Sequence, residues 1–305
     1  MSGPRADDPA AGPSAGDPSA DDPLAGPALP DPDDAWANAP YIPDAGGFLA
    51  RWPRDAAAFR DAMRAAGRAR EDLAYGEHPR ERLDVFLPDG AGSARGVAVI
   101  VHGGYWMRFD RKTFSHLAAG AVARGWAAAV PGYPLCPEVG IGRIERAVRA
   151  AVEFAAGLAP GPVRLAGHSA GGQLVARMAC ADAGPDPAVA DRIDAVLAVS
   201  GVHDLVPLLG TALNDTLGLD LAEARRRSPA RSAPRPGPRV VAAVGADERP
   251  EFLRQNGLLG LGWGAAASVR ERVEPGRHHF DVIEALEDPG SALLDAWLGD
   301  VRPGA

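Results

Sequence analysis

The pentapeptide Gly167-His168-Ser169-Ala170-Gly171 constrains this chain more than any other stretch. The short apolar run Val163-Arg164-Leu165-Ala166 just ahead of it predicts a strand. Behind it, residues 173–181 predict a helix with Leu174, Val175 and Met178 on its buried side. A strand that passes into a helix within so few residues must turn sharply, and a Cβ at either glycine would crowd the turn. The serine between them is pushed out above the sheet, where its hydroxyl is free to react.

The rest of the chain repeats the same rhythm. Leu83, Val85 and Leu87 alternate with Asp84 and Phe86, a strand closed by Pro88-Asp89-Gly90. Val97–Val101 is a continuous apolar run, as expected of a strand covered on both faces. Further strands are expected at 126–130, 195–200, 240–245 and 268–273. Helices are expected at 54–68, 113–124, 141–158 and 291–298. Strands alternating with helices predict an α/β fold with a mostly parallel sheet wrapped on both faces. Residues 204–238 interrupt the pattern with a polar, Arg- and Pro-rich insertion that lacks long amphipathic helices, so a small rim element or no cap is expected.

Residues 1–35 are Asp, Pro, Ala, Gly and Ser with little that could be buried, and predict a disordered acidic tail. A single domain over 36–305 follows. The net charge of −8 argues against a nucleic-acid partner. No run reaches the roughly 18 apolar residues of a membrane span, and the N-terminus shows no secretory pattern, so a cytoplasmic location is expected. Cys136 and Cys180 are expected as buried thiols. No His, Cys, Asp or Glu cluster has metal-ligand spacing and no phosphate loop is present, so neither metal nor other cofactor is expected.

Ser169 by itself is a weak nucleophile and needs a base to take its proton, with a third group to orient that base. In α/β-hydrolases these follow in the order Ser, acid, His. The strand at 240–245 runs into Gly245-Ala246-Asp247-Glu248, where Asp247 is the expected acid and Glu248 the neighbour that could replace it. The base belongs after the last strand, where His278 and His279 stand side by side, and residue type alone does not choose between them. His102-Gly103-Gly104 follows the strand ending at Val101. Its glycines allow the Gly103 and Gly104 amides to approach an oxyanion, and Ala170 is expected to supply a further amide.

Several segments together resemble the kynurenine formamidase (arylformamidase) family, an esterase/lipase-like branch of the α/β-hydrolases. They are His102-Gly103-Gly104-Tyr105-Trp106, the elbow through Gly171-Gly172-Gln173-Leu174, Ser200-Gly201-Val202-His203-Asp204-Leu205, Gly245-Ala246-Asp247-Glu248 and His279-Phe280-Asp281. The resemblance runs from about residue 75 to 287. It implies Ser169 as nucleophile, Asp247 as orienting acid and His279 as base, the His-Phe-Asp match selecting His279 over His278. The reaction it implies is hydrolysis of N-formyl-L-kynurenine to L-kynurenine and formate through a formyl-serine. Tyr105 and Trp106 are then candidates for the aromatic subsite, the partner is a small molecule, and a homodimer is admitted. The alternatives are a carboxylesterase for small acyl esters with the same machinery, and a catalytically silent binding protein on this fold.

Overall fold

Along Val97–Val101, Val97, Val99 and Val101 enter one hydrophobic cluster and Ala98 and Ile100 the other. That is the two-residue alternation of a strand whose faces are both covered. The computed structural model describes residues 22–27, 29–90, 92 and 94–299. Its strands are β1 (Ala69–Ala74), β2 (Arg82–Phe86), β3 (Val97–Val101), β4 (Ala127–Pro131), β5 (Val163–His168), β6 (Ile193–Val199), β7 (Arg239–Gly245) and β8 (Val269–Glu274). They form one sheet in the order β1-β2-β4-β3-β5-β6-β7-β8. The pairings β1/β2 and β2/β4 are antiparallel and all the others are parallel.

The helices are α1 (Pro32–Trp36), α2 (Ala45–Ala65), α3 (Ala119–Ala123), α4 (Ile141–Ala156), α5 (Ala170–Met178), α6 (Pro187–Ala190), α7 (Asn214–Leu217), α8 (Leu221–Arg227), α9 (Pro250–Trp263) and α10 (Ala292–Leu298). Buried side chains of α4, α5 and α9 share one cluster with alternate strand residues. Those of α2, α3 and α10 share the other, on the opposite face. The expected parallel sheet with helices on both faces is therefore the architecture found. The 204–238 insertion forms two short helices, α7 and α8, flanked by 3₁₀ turns at Val206–Gly210 and Pro229–Arg231.

Three elements depart from expectation. α2 begins nine residues before the expected 54, with Pro53 inside it. The span 113–124 is divided between 3₁₀ turns up to Ala118 and the short α-helix α3. α9 is absent from the helices expected above, its pattern being broken by Gly257, Gly260 and Gly262. Gly262 is required there, because a Cβ would lie 2.0 Å from the Ala230 carbonyl oxygen.

The expected tail at 1–35 needs correction. Residues 1–21 and 28 lie outside the described residues. Leu24 is buried with Ala230 and Leu258. Asp22 pairs with Arg231 at 2.6 Å, Asp34 pairs with Arg249, and α1 is capped by the Asp31 side chain. Composition does not reveal this because the anchoring partners lie some two hundred residues away.

Candidate active site

The parallel strands β3, β5, β7 and β8 all end on the same side of the sheet, and each delivers one part of the site there, as the topology of α/β sheets favours. Ser169 directly follows β5, with φ +55° and ψ −119°. A residue with a Cβ holds such angles only when its surroundings enforce them. Ser169 N–H donates to Val199 C=O at 2.9 Å. A Cβ on Gly167 would lie 2.1 Å from Gly171 O, and one on Gly171 would lie 2.2 Å from Val101 O. Both glycines of the pentapeptide are thus fixed by backbone contacts.

His279 follows β8. Its Nδ1–H donates to Glu248 Oε2 at 2.6 Å, and both side chains are buried. The imidazole lies between two rings, 4.4 Å from Phe252 and 4.7 Å from His168 between centroids. His168 Nε2–H donates to His279 C=O at 2.8 Å, so the residue preceding the candidate nucleophile holds the backbone of the candidate base. Burial, with His279 beside it, keeps the His168 imidazole well below its usual pKa and neutral. His278 is turned elsewhere, its ring against Phe48 and its Nδ1 toward the Phe280 and Asp281 amides.

The expected acid, Asp247, is not the one that meets the base. Asp247 is exposed, and it is its backbone N–H that is used, donating to Arg277 C=O at 2.9 Å. That bond sets the turn after β7 so that residue 247 faces out and residue 248 faces in. Glu248 Oε1 accepts from Ser200 Oγ–H at 2.5 Å and from Gly245 N–H at 2.8 Å, which leaves Oε2 for His279. Ser200 is a supporting residue absent from the set expected from the sequence. It sits at φ +51° immediately after β6, as Ser169 does after β5, and a positive φ on a non-glycine is the signature of an enforced position.

The segment after β3 forms the third part. Gly104 has φ +115°, and Tyr105 and Trp106 are also left-handed at +53° and +59°. A Cβ on Gly103 would lie 3.0 Å from Ser169 Cβ, so this loop is packed against the elbow. The amides of Gly103, Gly104 and Ala170 have no acceptor among the described residues, as donors kept for an oxyanion require. His102 Nδ1–H donates to Gly103 C=O at 2.7 Å, and Tyr133 Oη–H donates to His102 C=O at 2.7 Å. Burial drops the His102 pKa to about 4, so this clamp is neutral.

The two aromatic candidates part company. Tyr105 lines the cavity and is held from the other side, its hydroxyl donating to Trp36 C=O at 2.7 Å and accepting from Asn38 Nδ2 at 3.1 Å. Trp106 is 1% exposed and is not part of the cavity wall. Its Nε1–H donates to Gln173 Oε1 at 2.9 Å, and Gln173 Nε2 donates to Glu145 Oε1 and Arg227 C=O. Trp106 therefore ties the loop to α5 and α4 instead of contacting a substrate. The cavity itself has a volume of about 700 Å³, with Ser169 and His279 both on its wall. Trp52, Phe109, Phe114 and Phe280 line one part; Trp36 to Pro40 and Leu213 close another. Among the described residues no group of His, Cys, Asp and Glu could hold a metal ion. None of the described helices is long and apolar enough to cross a membrane.

Comparison with known proteins places this geometry in context. The family model BD-FAE matches residues 83–223, from β2 through the elbow to α8. Kynurenine formamidase of Salmo salar is 28% identical over 238 residues, covering 74% of this chain and 80% of that protein. The enzyme of that name from Drosophila melanogaster is 30% identical over 142 residues, 44% of this chain and 46% of its own. The chain thus resembles kynurenine formamidases over about three quarters of its length. Among solved structures, a candidate thioesterase from Silicibacter sp. is 44% identical with a TM-score of 0.82, covering 87% of this chain and 98% of that one. Esterase B from Lactobacillus rhamnosis shares the fold at 20% identity, with a TM-score of 0.62 over 82% of this chain and 92% of that one. The chain is accordingly an α/β-hydrolase and an arylformamidase-like hydrolase.

Proposed function

We propose that the chain hydrolyses the formamide of N-formyl-L-kynurenine, giving L-kynurenine and formate through a formyl-Ser169 intermediate. The observation that carries this reading is the hydrogen bond from His279 to buried Glu248 at the wall of an aromatic-lined cavity that also contains Ser169. It is supported by the likeness to kynurenine formamidases over three quarters of the chain.

In the proposed mechanism His279 Nε2 takes the Ser169 Oγ proton while Oγ attacks the formyl carbon. Glu248 holds Nδ1–H and stabilises the imidazolium that forms. The oxyanion is received by the Gly103, Gly104 and Ala170 amides. His279 then returns its proton to the aromatic amine nitrogen as the C–N bond breaks, leaving Ser169 formylated. Water, deprotonated by the same histidine, attacks the formyl ester and releases formate and free serine. A formyl carbon bears only hydrogen, which suits an acyl side where Gly103 crowds Ser169.

The test is turnover of N-formyl-L-kynurenine beside p-nitrophenyl acetate, with Ser169→Ala as control. Formamide cleavage with a formyl adduct on Ser169 after acid quench supports the reading. Efficient ester cleavage with no formamide cleavage would replace it by the esterase reading, toward which the name of the Silicibacter relative also points.

A further inference from the structure

One cation on the cavity wall is left unmatched by the rest of the described chain. Arg108 is the only lysine or arginine lining the cavity among the described residues. Its guanidinium takes part in no ion pair or hydrogen bond within the described chain. The arginines around it are all engaged. Arg80 and Arg111 pair with Asp110 and with Asp72 and Asp84, Arg51 with Glu284, and Arg249 with Asp34. Asp33, the cavity's own carboxylate, accepts from Ala212 N–H at 2.7 Å and does not pair with Arg108.

The backbone of Arg108 is fixed relative to the reacting centre. Its N–H donates to Gly104 C=O at 2.9 Å, and a Cβ on Gly104 would lie 2.5 Å from Arg108 O. The turn that carries the Gly103 and Gly104 amides therefore carries the cation as well. The Arg108 side chain is exposed at the cavity wall, and an unpaired guanidinium there can take a carboxylate in a two-point grip. The protein as a whole is at −8, so an anionic substrate gains locally from this positive group on the cavity wall.

We propose that Arg108 selects the substrate class: an acylated aromatic amine or aryl ester with a carboxylate on a side arm, gripped by Arg108 while the acyl carbon sits at Ser169. This deepens the reading above and rests on that cavity being the substrate site. It makes Arg108 a specificity residue that neutral esters do not exploit.

The test is a binding measurement on the full chain, so it stands whether or not formamide turnover is found. Calorimetric dissociation constants are measured for two acid and amide pairs, L-kynurenine with its carboxamide and hydrocinnamate with hydrocinnamamide. The expected result is a preference for each acid of roughly tenfold or more. It should collapse to near unity in Arg108→Gln and be partly kept in Arg108→Lys. A preference below about twofold in the native protein, or one that survives Arg108→Gln, overturns the proposal. Turnover of N-formyl-L-kynurenine against its carboxamide tests the formamidase reading separately, because loss of all formamide cleavage leaves the acid-over-amide ratio intact.

Discussion

Glu248 Oε2 stands 2.6 Å from His279 Nδ1, while Asp247, one residue earlier, turns its carboxylate to solvent. Two adjacent acids should therefore respond oppositely to substitution. Glu248→Gln should lower kcat by on the order of 10³- to 10⁴-fold, since the amide no longer holds the imidazole in its reactive tautomer. Asp247→Asn should stay within about twofold of the native enzyme, because only its backbone is used. Steady-state kinetics on the better of the two substrates decides between them; equal losses would return the orienting role to Asp247.

Ser200→Ala removes the hydroxyl that donates to Glu248 Oε1 at 2.5 Å. The carboxylate keeps Gly245 N–H and its bond to His279, so the loss should be partial, about 10-fold in kcat with KM nearly unchanged. A KM effect without a kcat effect would argue that Ser200 acts on the cavity shape instead.

Trp106→Phe keeps a ring in the buried loop but leaves Gln173 Oε1 without its donor. The expected cost is about 1–3 kcal/mol of stability, the usual penalty of an unpaired buried polar group. Denaturant unfolding measures it. If binding of aromatic ligands falls while stability does not, Trp106 touches substrate after all.

Acid should destabilise the fold through its buried imidazoles. Burial takes His203 down to about 3, and His102 and His116 to about 4. Between the ordinary histidine value near 6.5 and these lowered values, the unfolded chain binds protons that the folded one refuses. Stability is therefore full above about pH 6.5 and is lost as pH falls toward 4. His203, whose two ring nitrogens have no partner, is the cleanest probe. In His203→Phe the fall of Tm between pH 6.5 and 4 should be shallower by the share of one proton; an unchanged slope would mean His203 titrates normally.

The elbow is legible in the sequence because its signal is local: two glycines whose Cβ atoms would strike backbone, between a strand and a helix. The parallel strands follow from the same alternation. The choice between Asp247 and Glu248 is not legible, since it depends on which residue of a turn faces inward, and a bond to Arg277 in another loop decides that. Trp106 escapes for a similar reason: aromatic character says nothing about whether a ring meets Gln173 or the cavity. α9 hides behind glycines that serve close packing, and β1 behind the charges of Ala69-Arg70-Glu71-Asp72-Leu73-Ala74, an exposed antiparallel edge. The structured part of the N-terminal segment hides behind its composition, because its partners are remote in the chain.

That remoteness orders events during synthesis. Asp33 and Asp34 help wall the cavity or anchor its wall, yet their partners Ala212 and Arg249 lie 179 and 215 residues later. At roughly 5–20 residues per second the ribosome delivers those partners on the order of 10–40 s after the first segment has emerged. Residues 33 and 34 therefore wait for partners that emerge only after most of the sheet's strands, β1 to β6 for Ala212 and β7 as well for Arg249, have been made.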